Sequence, residues 1–254
     1  MSKSKLSNLR VSRFELRRRA TKKSEYIAFE ILRDIVAQGL KPKDKLPLES
    51  EMLTRYEVSR SSLREALRLL EVQGLITIRP GPGAGTLVGS VDPANLSSTL
   101  MLYLYMTQAK LEDLLDAWLM VEPLLARLAA QRSDRKVVEE LMAPFLEDGD
   151  GDNRDFGSGL GFHDVVAELA GNQVLTLMLG AIGYLVTDQV RLAMPDASLS
   201  DDTLEAHYEL AQAIMDGEAD KAQQLMYQHV EQVIAEIREL VPARMERPLV
   251  LGRS

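Results

Sequence analysis

The sequence predicts a mainly α-helical protein in which an N-terminal winged helix-turn-helix is followed by a C-terminal all-α helical bundle. A strongly helical run over 60–73 leads into the β-rich residues 75–79 and a Pro/Gly turn. This order is typical of a helix followed by a small two-stranded wing. From Asp92 onward the chain shows helical periodicity and no strand pattern.

Charge supports the same division. Residues 1–90 contain 18 Lys and Arg against 10 Asp and Glu, a net charge of +8, whereas residues 91–254 contain 12 against 28, a net charge of −16. This asymmetry is typical of a basic binding module joined to an acidic partner domain. We therefore expect four segments: a basic flexible arm (1–23), a winged helix-turn-helix (24–90), a helical domain (91–242) and a tail (243–254).

Three helices and a hairpin are predicted in the winged domain. The helices cover 25–38, 48–56 and 60–73, and the strands cover 76–78 and 86–88. Ser24 can cap the first helix and Gly39 can end it. The turn between the strands, GPGAG, has the glycines that a tight wing needs.

Seven helices are predicted in the helical domain. They cover 96–106, which Pro93 and Asn95 open, and 111–130, 137–146, 162–170, 174–192, 204–215 and 220–240. Pro123 is expected to kink the second of these or to offset its first turn. The patch DGDGDN (148–153) is similar to a calcium-binding loop, but Asn153 stands where that loop needs Gly and Gly159 where it needs Glu. We interpret it as an acidic loop.

Composition excludes some classes of site. The chain has no cysteine, so disulfides and thiolate metal sites are excluded, which fits a reducing cytoplasm. No uninterrupted apolar run approaches the roughly 20 residues that span a bilayer, and no apolar segment follows the basic N-terminus as in a secretory signal. We expect a cytoplasmic protein that does not associate with membranes.

The start of the helix over 60–73 and the wing carry residue types that contact DNA. Helix N-termini point backbone N–H groups at phosphates, and short hydroxyl side chains allow a close approach. Arg60 and Arg64 project from the same side, where a guanidinium can fork onto guanine O6 and N7. The candidate DNA-binding residues are Ser59, Arg60, Ser61, Ser62, Arg64, Arg79, Gly81, Gly83 and Gly85. The alternative is a surface helix with ordinary Arg–Glu pairs.

These residues resemble the GntR family of bacterial transcription regulators. The motifs that carry the resemblance are LP (46–47), ESEML (49–53), VSR (58–60), REAL (64–67), LE (70–71), GL (74–75) and GTLV (85–88). The resemblance implies binding to double-stranded operator DNA. Ser50 stands where many members carry an Arg that helps to read DNA, so Arg55 or the basic arm would have to compensate.

The C-terminal part resembles the helical effector-binding (FCD) domain of the FadR-type branch of that family. The segments GFHDVVAELAGN (161–172), LEAHYELAQAIMDGEADKA (204–222) and MYQHV (226–230) carry this resemblance. In many members histidines at these positions bind a divalent metal together with an Asp one turn before the first. The resemblance therefore implies that His163, His207 and His229 hold Zn²⁺ or Ni²⁺. Gly159 replaces the Asp, which leaves a coordination position for water or effector.

Trp118 and Glu122 are the candidate effector-pocket residues. Members of this branch usually present an Arg one turn before this Glu, which suits effector carboxylates, and here Trp118 takes its place. If Trp118 lines the pocket, the effector is more apolar than a small hydroxy acid or dicarboxylic acid, and a hydrophobic acid or an acyl thioester fits. The alternative is that Trp118 only packs in the core.

The sequence thus predicts a sequence-specific transcription regulator and not an enzyme. A homodimer is expected, because two-fold symmetric proteins read palindromic operators. The resemblance implies that an effector bound in the bundle shifts the population of dimers that fit the operator. Repression relieved by a metabolite is the commoner mode in the family. Two alternatives stay open: a ligand-stimulated activator, and a metal-dependent hydrolase that uses the three histidines.

Overall fold

The structure, a computed structural model, describes residues 23–79, 81, 85–146, 161–193 and 201–251. The chain divides into two compact units, Met1–Asp92 and Pro93–Ser254. Among the described residues, the first unit contains three helices and a hairpin, and the regular elements of the second are all helices. The prediction of a mainly α-helical protein with a small two-stranded wing is confirmed.

The elements of the winged unit are α1 (Lys23–Ala37), α2 (Glu49–Tyr56), α3 (Arg60–Val72), β1 (Ile76–Arg79) and β2 (Gly85–Val88). Helices α1 and α3 pack against each other. Their apolar faces form the core, with Ile27 and Ile31 from α1 and Leu63, Leu67 and Leu70 from α3. Because the leucines recur at helical spacing, they occupy one face of α3 and leave the opposite face to solvent.

The ends of α3 and its connection to the wing follow from local chemistry. The side chain of Ser59 accepts a hydrogen bond from the backbone N–H of Ser62 at 3.2 Å, which caps the first turn. Gly74 has a φ of +68°, the left-handed conformation that commonly follows a helix end. Strands β1 and β2 pair antiparallel, and the N–H of Ile78 donates to Glu71 Oε1 at 3.2 Å. This bond links the wing to α3.

The elements of the second unit are α4 (Pro93–Met106), α5 (Leu111–Ala130), α6 (Arg135–Met142), a 3₁₀ turn (Ala143–Phe145), α7 (Phe162–Leu169), α8 (Gln173–Ala193), α9 (Asp201–Met215), α10 (Ala219–Leu240) and α11 (Pro242–Met245). Helix α5 is central, since it packs against α7, α8, α9 and α10. It continues as one helix through Pro123, which is buried. The acidic patch 148–153 lies outside the described residues.

Helix α8 is long and apolar enough to cross a membrane by length and composition alone. The sequence did not indicate this, because polar residues interrupt the apolar run of this helix. It packs against α4, α5 and α7 within the bundle. Gly180 allows a close approach there, because a Cβ at this position would lie 2.8 Å from Pro93 Cγ. The helix therefore has partners inside the helical unit.

The segment after α10, which the sequence indicated only as a tail, packs onto the bundle. Leu249 is buried in the core of the helical unit, and its N–H donates to the backbone oxygen of Ala109 at 2.8 Å. The side-chain oxygen of the buried Gln189 accepts hydrogen bonds from Val250 N–H and from Arg244. The sequence did not indicate this packing, because individual contacts of single residues hold the segment and leave no repeating hydrophobic pattern.

Candidate functional site

The first turn of α3 presents the hydroxyl groups that the sequence predicted to contact DNA. Ser59 Oγ lies 3.0 Å from Ser61 Oγ and 2.9 Å from Ser62 Oγ. Ser59 and Ser61 are exposed, and Ser62 is half-buried. The three hydroxyls therefore form one cluster at the N-terminus of the helix, where backbone N–H groups and the helix dipole favour an anion such as a phosphate.

Arg60 and Arg64 are both exposed, but their surroundings differ. Arg64 Nε donates to Glu49 Oε1 at 3.2 Å, an exposed ion pair between α3 and α2. Arg60 has no ion pair or hydrogen bond within the described ranges of the chain. An exposed ion pair of this kind contributes about 0.2–1 kcal/mol. Both guanidinium groups are therefore accessible to DNA, although Arg64 must first leave Glu49.

The wing places Arg79 at the exposed end of β1 and Gly81 just beyond it. Gly81 has a φ of +95°, a backbone conformation that side chains other than glycine rarely adopt. Gly85 is half-buried at the start of β2. Gly83 lies outside the described residues. Arg79 and Gly81 are thus exposed beside each other at the end of β1.

Arg55, which the sequence offered as a substitute for the Arg missing at Ser50, is engaged elsewhere. Its Nη2 lies 2.9 Å from Asp34 Oδ2 on α1, and the Tyr56 hydroxyl donates to the same oxygen at 2.7 Å. Burial and the neighbouring Asp34 carboxylate raise the pKa of Tyr56 well above its ordinary value. This cluster joins α1 to α2. Eight of the 18 basic residues of segment 1–90 precede α1, in the basic arm that the sequence offered as the other substitute.

The three histidines of the chain converge in the helical unit. His163 comes from α7, His207 from α9 and His229 from α10. His207 Nε2 lies 3.1 Å from His229 Nε2, and His229 Nε2 lies 3.4 Å from His163 Nε2. His207 and His229 are buried and His163 is half-buried. Phe162, which the sequence analysis did not single out, stacks on the His207 ring at 4.3 Å between centroids.

Glu122 and Trp118 contact this cluster from α5. The Glu122 side chain is fully buried, and its Oε1 accepts a hydrogen bond from Trp118 Nε1 at 2.9 Å. The same Oε1 lies 2.9 Å from His163 Nδ1, at ion-pair distance. The Trp118 ring is buried with its edge toward His163, 5.4 Å between centroids. The two residues predicted to line an effector pocket therefore border the histidine cluster.

Electrostatics keep His229 neutral. Burial lowers its pKa to about 2, and repulsion from His163 and His207 adds to this effect. Neutral imidazole is the form that coordinates a metal. His229, which lies between the other two histidines, therefore keeps a nitrogen lone pair available for a metal ion.

The donor set fits one divalent metal ion. Nitrogen ligands about 2.1 Å from a single Zn²⁺ lie roughly 3.0–3.5 Å from one another, and the two shortest Nε2–Nε2 distances, 3.1 and 3.4 Å, fall in this interval. One carboxylate side chain, Glu122, lies beside the three imidazoles and contacts His163. Its second oxygen, Oε2, is buried and accepts no hydrogen bond from the described part of the chain. Imidazole donors suit Zn²⁺ and Ni²⁺.

Comparisons with known proteins agree with this architecture. Residues 23–88 match the model of "Bacterial regulatory proteins, gntR family", and residues 113–232 match the "FCD domain". The HTH-type transcriptional repressor NanR of Salmonella newport is 30% identical over 235 residues, 87% of this chain and 88% of that protein. The HTH-type transcriptional regulator LutR of Bacillus subtilis is 27% identical over 206 residues, 76% of this chain and 91% of that protein. A solved structure, "Streptococcus agalactiae GntR", aligns with a TM-score of 0.58 at 26% identity, covering 83% of this chain and 98% of that one.

Proposed function

Because this chain belongs to the GntR family of bacterial regulatory proteins and carries its FCD domain, we propose that it represses transcription from a palindromic operator until a small metabolite binds the helical unit. The matched gntR family consists of bacterial regulatory proteins, and the two relatives named above are a transcriptional regulator and a transcriptional repressor. The chain is a transcription regulator with an effector-binding domain, and the alternative of a metal-dependent hydrolase is set aside.

The observation that carries the operator-binding proposal is the composition of the exposed first turn of α3. Hydroxyl groups and a capped helix N-terminus form the phosphate-contacting part of a recognition helix, and Arg60 and Arg64 supply the base-contacting part. Arg79, Gly81 and Gly85 of the wing would contact the adjacent backbone or minor groove, as would Gly83, which lies outside the described residues. The similarity to the repressor NanR supports repression as the mode of action.

We place a divalent metal, Zn²⁺ or Ni²⁺, on His163, His207 and His229. When bound, such an ion cross-links α7, α9 and α10 and offers open coordination positions to an effector oxygen. Trp118 and Phe162 give the surroundings of the cluster an apolar, aromatic character. This character favours an effector with an apolar part, and a hydrophobic acid or an acyl thioester is the proposed class.

Homodimerisation is proposed through exposed apolar side chains of the helical unit. On α4, Leu102, Tyr103 and Met106 are exposed over 57%, 69% and 79% of their surface. On α8, which packs against α4, Met178 and Tyr184 are also exposed. Large apolar side chains grouped on neighbouring helices favour a protein–protein contact. A second copy of the chain fits, because a palindromic operator needs two recognition helices.

A DNA-binding titration tests the proposal. The full-length protein, with and without added Zn²⁺, is mixed with a labelled fragment from upstream of its own gene and with a scrambled fragment of equal length. Salt-dependent binding that prefers the upstream fragment is expected, with release when hydrophobic acids or acyl thioesters are added. Equal affinity for both fragments contradicts operator binding. Tighter binding on addition of the effector identifies a ligand-stimulated activator instead.

A further inference from the structure

Metal coordination by the three Nε2 atoms leaves one contact beside the histidine cluster unexplained, that of Glu122 with Trp118 and His163. Glu122 is 0% exposed, and burial of a carboxylate is costly unless hydrogen bonds or an opposite charge compensate for it. Trp118 N–H supplies one hydrogen bond to Oε1. His163 Nδ1 lies at the same distance from the same oxygen, 2.9 Å, as an ion-pair contact whose angle does not meet hydrogen-bond geometry.

Glu122 is badly placed to be a direct ligand of the ion on the three Nε2 atoms. The two nitrogens of an imidazole lie on different sides of the ring. Glu122 Oε1 contacts Nδ1 of His163, whereas Nε2 of the same ring faces His229 Nε2 at 3.4 Å. The carboxylate therefore acts on the centre through the ring of His163.

We propose that Glu122 is a positioning residue that accepts the Nδ1–H of His163 when a metal ion holds the ring at Nε2, and that Trp118 in turn holds Glu122. This inference rests on the proposed metal site. Because a carboxylate oxygen can only accept, a hydrogen bond along this 2.9 Å contact puts the ring proton of His163 on Nδ1 and the lone pair on Nε2. A carboxylate in this position fixes the orientation of a metal-binding imidazole and makes its other nitrogen a stronger donor.

The identity of residue 118 determines how much charge Glu122 keeps. The indole N–H of Trp118 is a neutral donor, so it orients the carboxylate without neutralising it. The full negative charge then lies next to His163 and balances part of the charge of a divalent ion. The buried Oε2, to which no described residue donates, keeps its acceptor capacity for a water molecule or an effector group.

Zn²⁺ affinity tests this inference. The full-length wild type and the variants Glu122→Gln, Trp118→Phe and Asp164→Asn are stripped with a chelator and titrated in competition with a zinc-binding dye. Glu122→Gln keeps the shape of the side chain and should weaken Zn²⁺ binding by roughly 10- to 100-fold. Trp118→Phe, which keeps a ring and removes the N–H, should weaken binding by a smaller factor. Asp164→Asn removes a nearby charge without touching a ring nitrogen and should have the smallest effect.

A second readout reports on the ring itself. In the zinc-loaded protein with ¹⁵N-labelled histidine, a long-range proton–nitrogen spectrum should show a protected Nδ1–H for His163 in the wild type. This signal should shift and exchange faster with water in Glu122→Gln. Unchanged affinity and an unchanged spectrum in Glu122→Gln, or an equal loss in Asp164→Asn, overturn the role of Glu122 while the metal site stands. A wild type that binds no Zn²⁺ overturns the metal site itself.

Discussion

The ion pair between Arg64 and Glu49 leads to a quantitative prediction about DNA recognition. In the structure Arg64 Nε donates to Glu49 Oε1 at 3.2 Å, and the side chains of Arg64 and Glu49 are 68% and 38% exposed. Arg60, one turn earlier on α3, carries no such partner among the described residues. The two arginines should therefore differ in what they contribute to operator binding, although both project from the same side of the helix.

The magnitudes follow from these surroundings. A guanidinium that forks onto a guanine contributes about 1–3 kcal/mol of discrimination. Arg60→Ala should then weaken operator affinity by roughly 5- to 150-fold. Arg64 must break a surface pair worth about 0.2–1 kcal/mol before it binds, so Arg64→Ala should cost less by that amount. Conversely, Glu49→Gln releases Arg64 and should strengthen binding by about 1.4- to 5-fold.

A double-mutant cycle separates this effect from simple charge. Glu49→Gln also removes a negative charge near phosphates, so it is made both in the wild type and in Arg64→Ala. Affinity is measured by fluorescence anisotropy on an operator fragment at one fixed salt concentration. Glu65→Gln is the matched control. Glu65 is exposed on α3, next to Arg64 in the sequence, and forms no ion pair within the described ranges. It should give a smaller gain than Glu49→Gln.

Two results would refute the reasoning. If Glu49→Gln strengthens binding equally with and without the Arg64 side chain, the ion pair does not restrain recognition. If Arg60→Ala and Arg64→Ala both bind the operator as the wild type does, α3 is not the recognition helix. Circular dichroism melting must show that all variants fold, because exposed substitutions on α3 should leave the core intact.

Three further predictions address the arm, the dimer and the bundle. Deleting the arm that precedes α1 should reduce the salt dependence of DNA binding, by about 0.9 in the log–log slope for each basic residue that contacts a phosphate; an unchanged slope would contradict a role for the arm. Met106→Glu should yield monomers by light scattering, while Val36→Glu, an equally exposed apolar position of the winged unit, should leave the mass unchanged. Gly183→Ala should raise the melting temperature, because alanine is the better helix former by about 1 kcal/mol and nothing lies within 4 Å of its Cβ. Gly180→Ala should lack this gain because its Cβ would collide with Pro93, and equal gains would contradict the close approach of α4 and α8.

The arrangement of elements could be predicted from the sequence because it depends on neighbours in the chain. The leucines of α3 recur at helical spacing, Ser59 caps its start and Gly74 ends it, and each of these signals acts within a few residues. The winged helix-turn-helix and the long helices of the second unit follow from such signals. The limits of single helices depend on more than these signals, as at α6, which spans Arg135–Met142 where the sequence predicted 137–146.

The sequence by itself determined that this chain is a two-part helical regulator, and which residue types stand ready to contact DNA, metal and effector. Only the tertiary structure decided which of these residues meet. His163, His207 and His229 belong to different helices, and Glu122 contacts His163 across 41 positions of the chain. Distances between residues far apart in sequence are set by how whole helices pack, through crossing angles and side-chain interdigitation, and local periodicity does not contain that information.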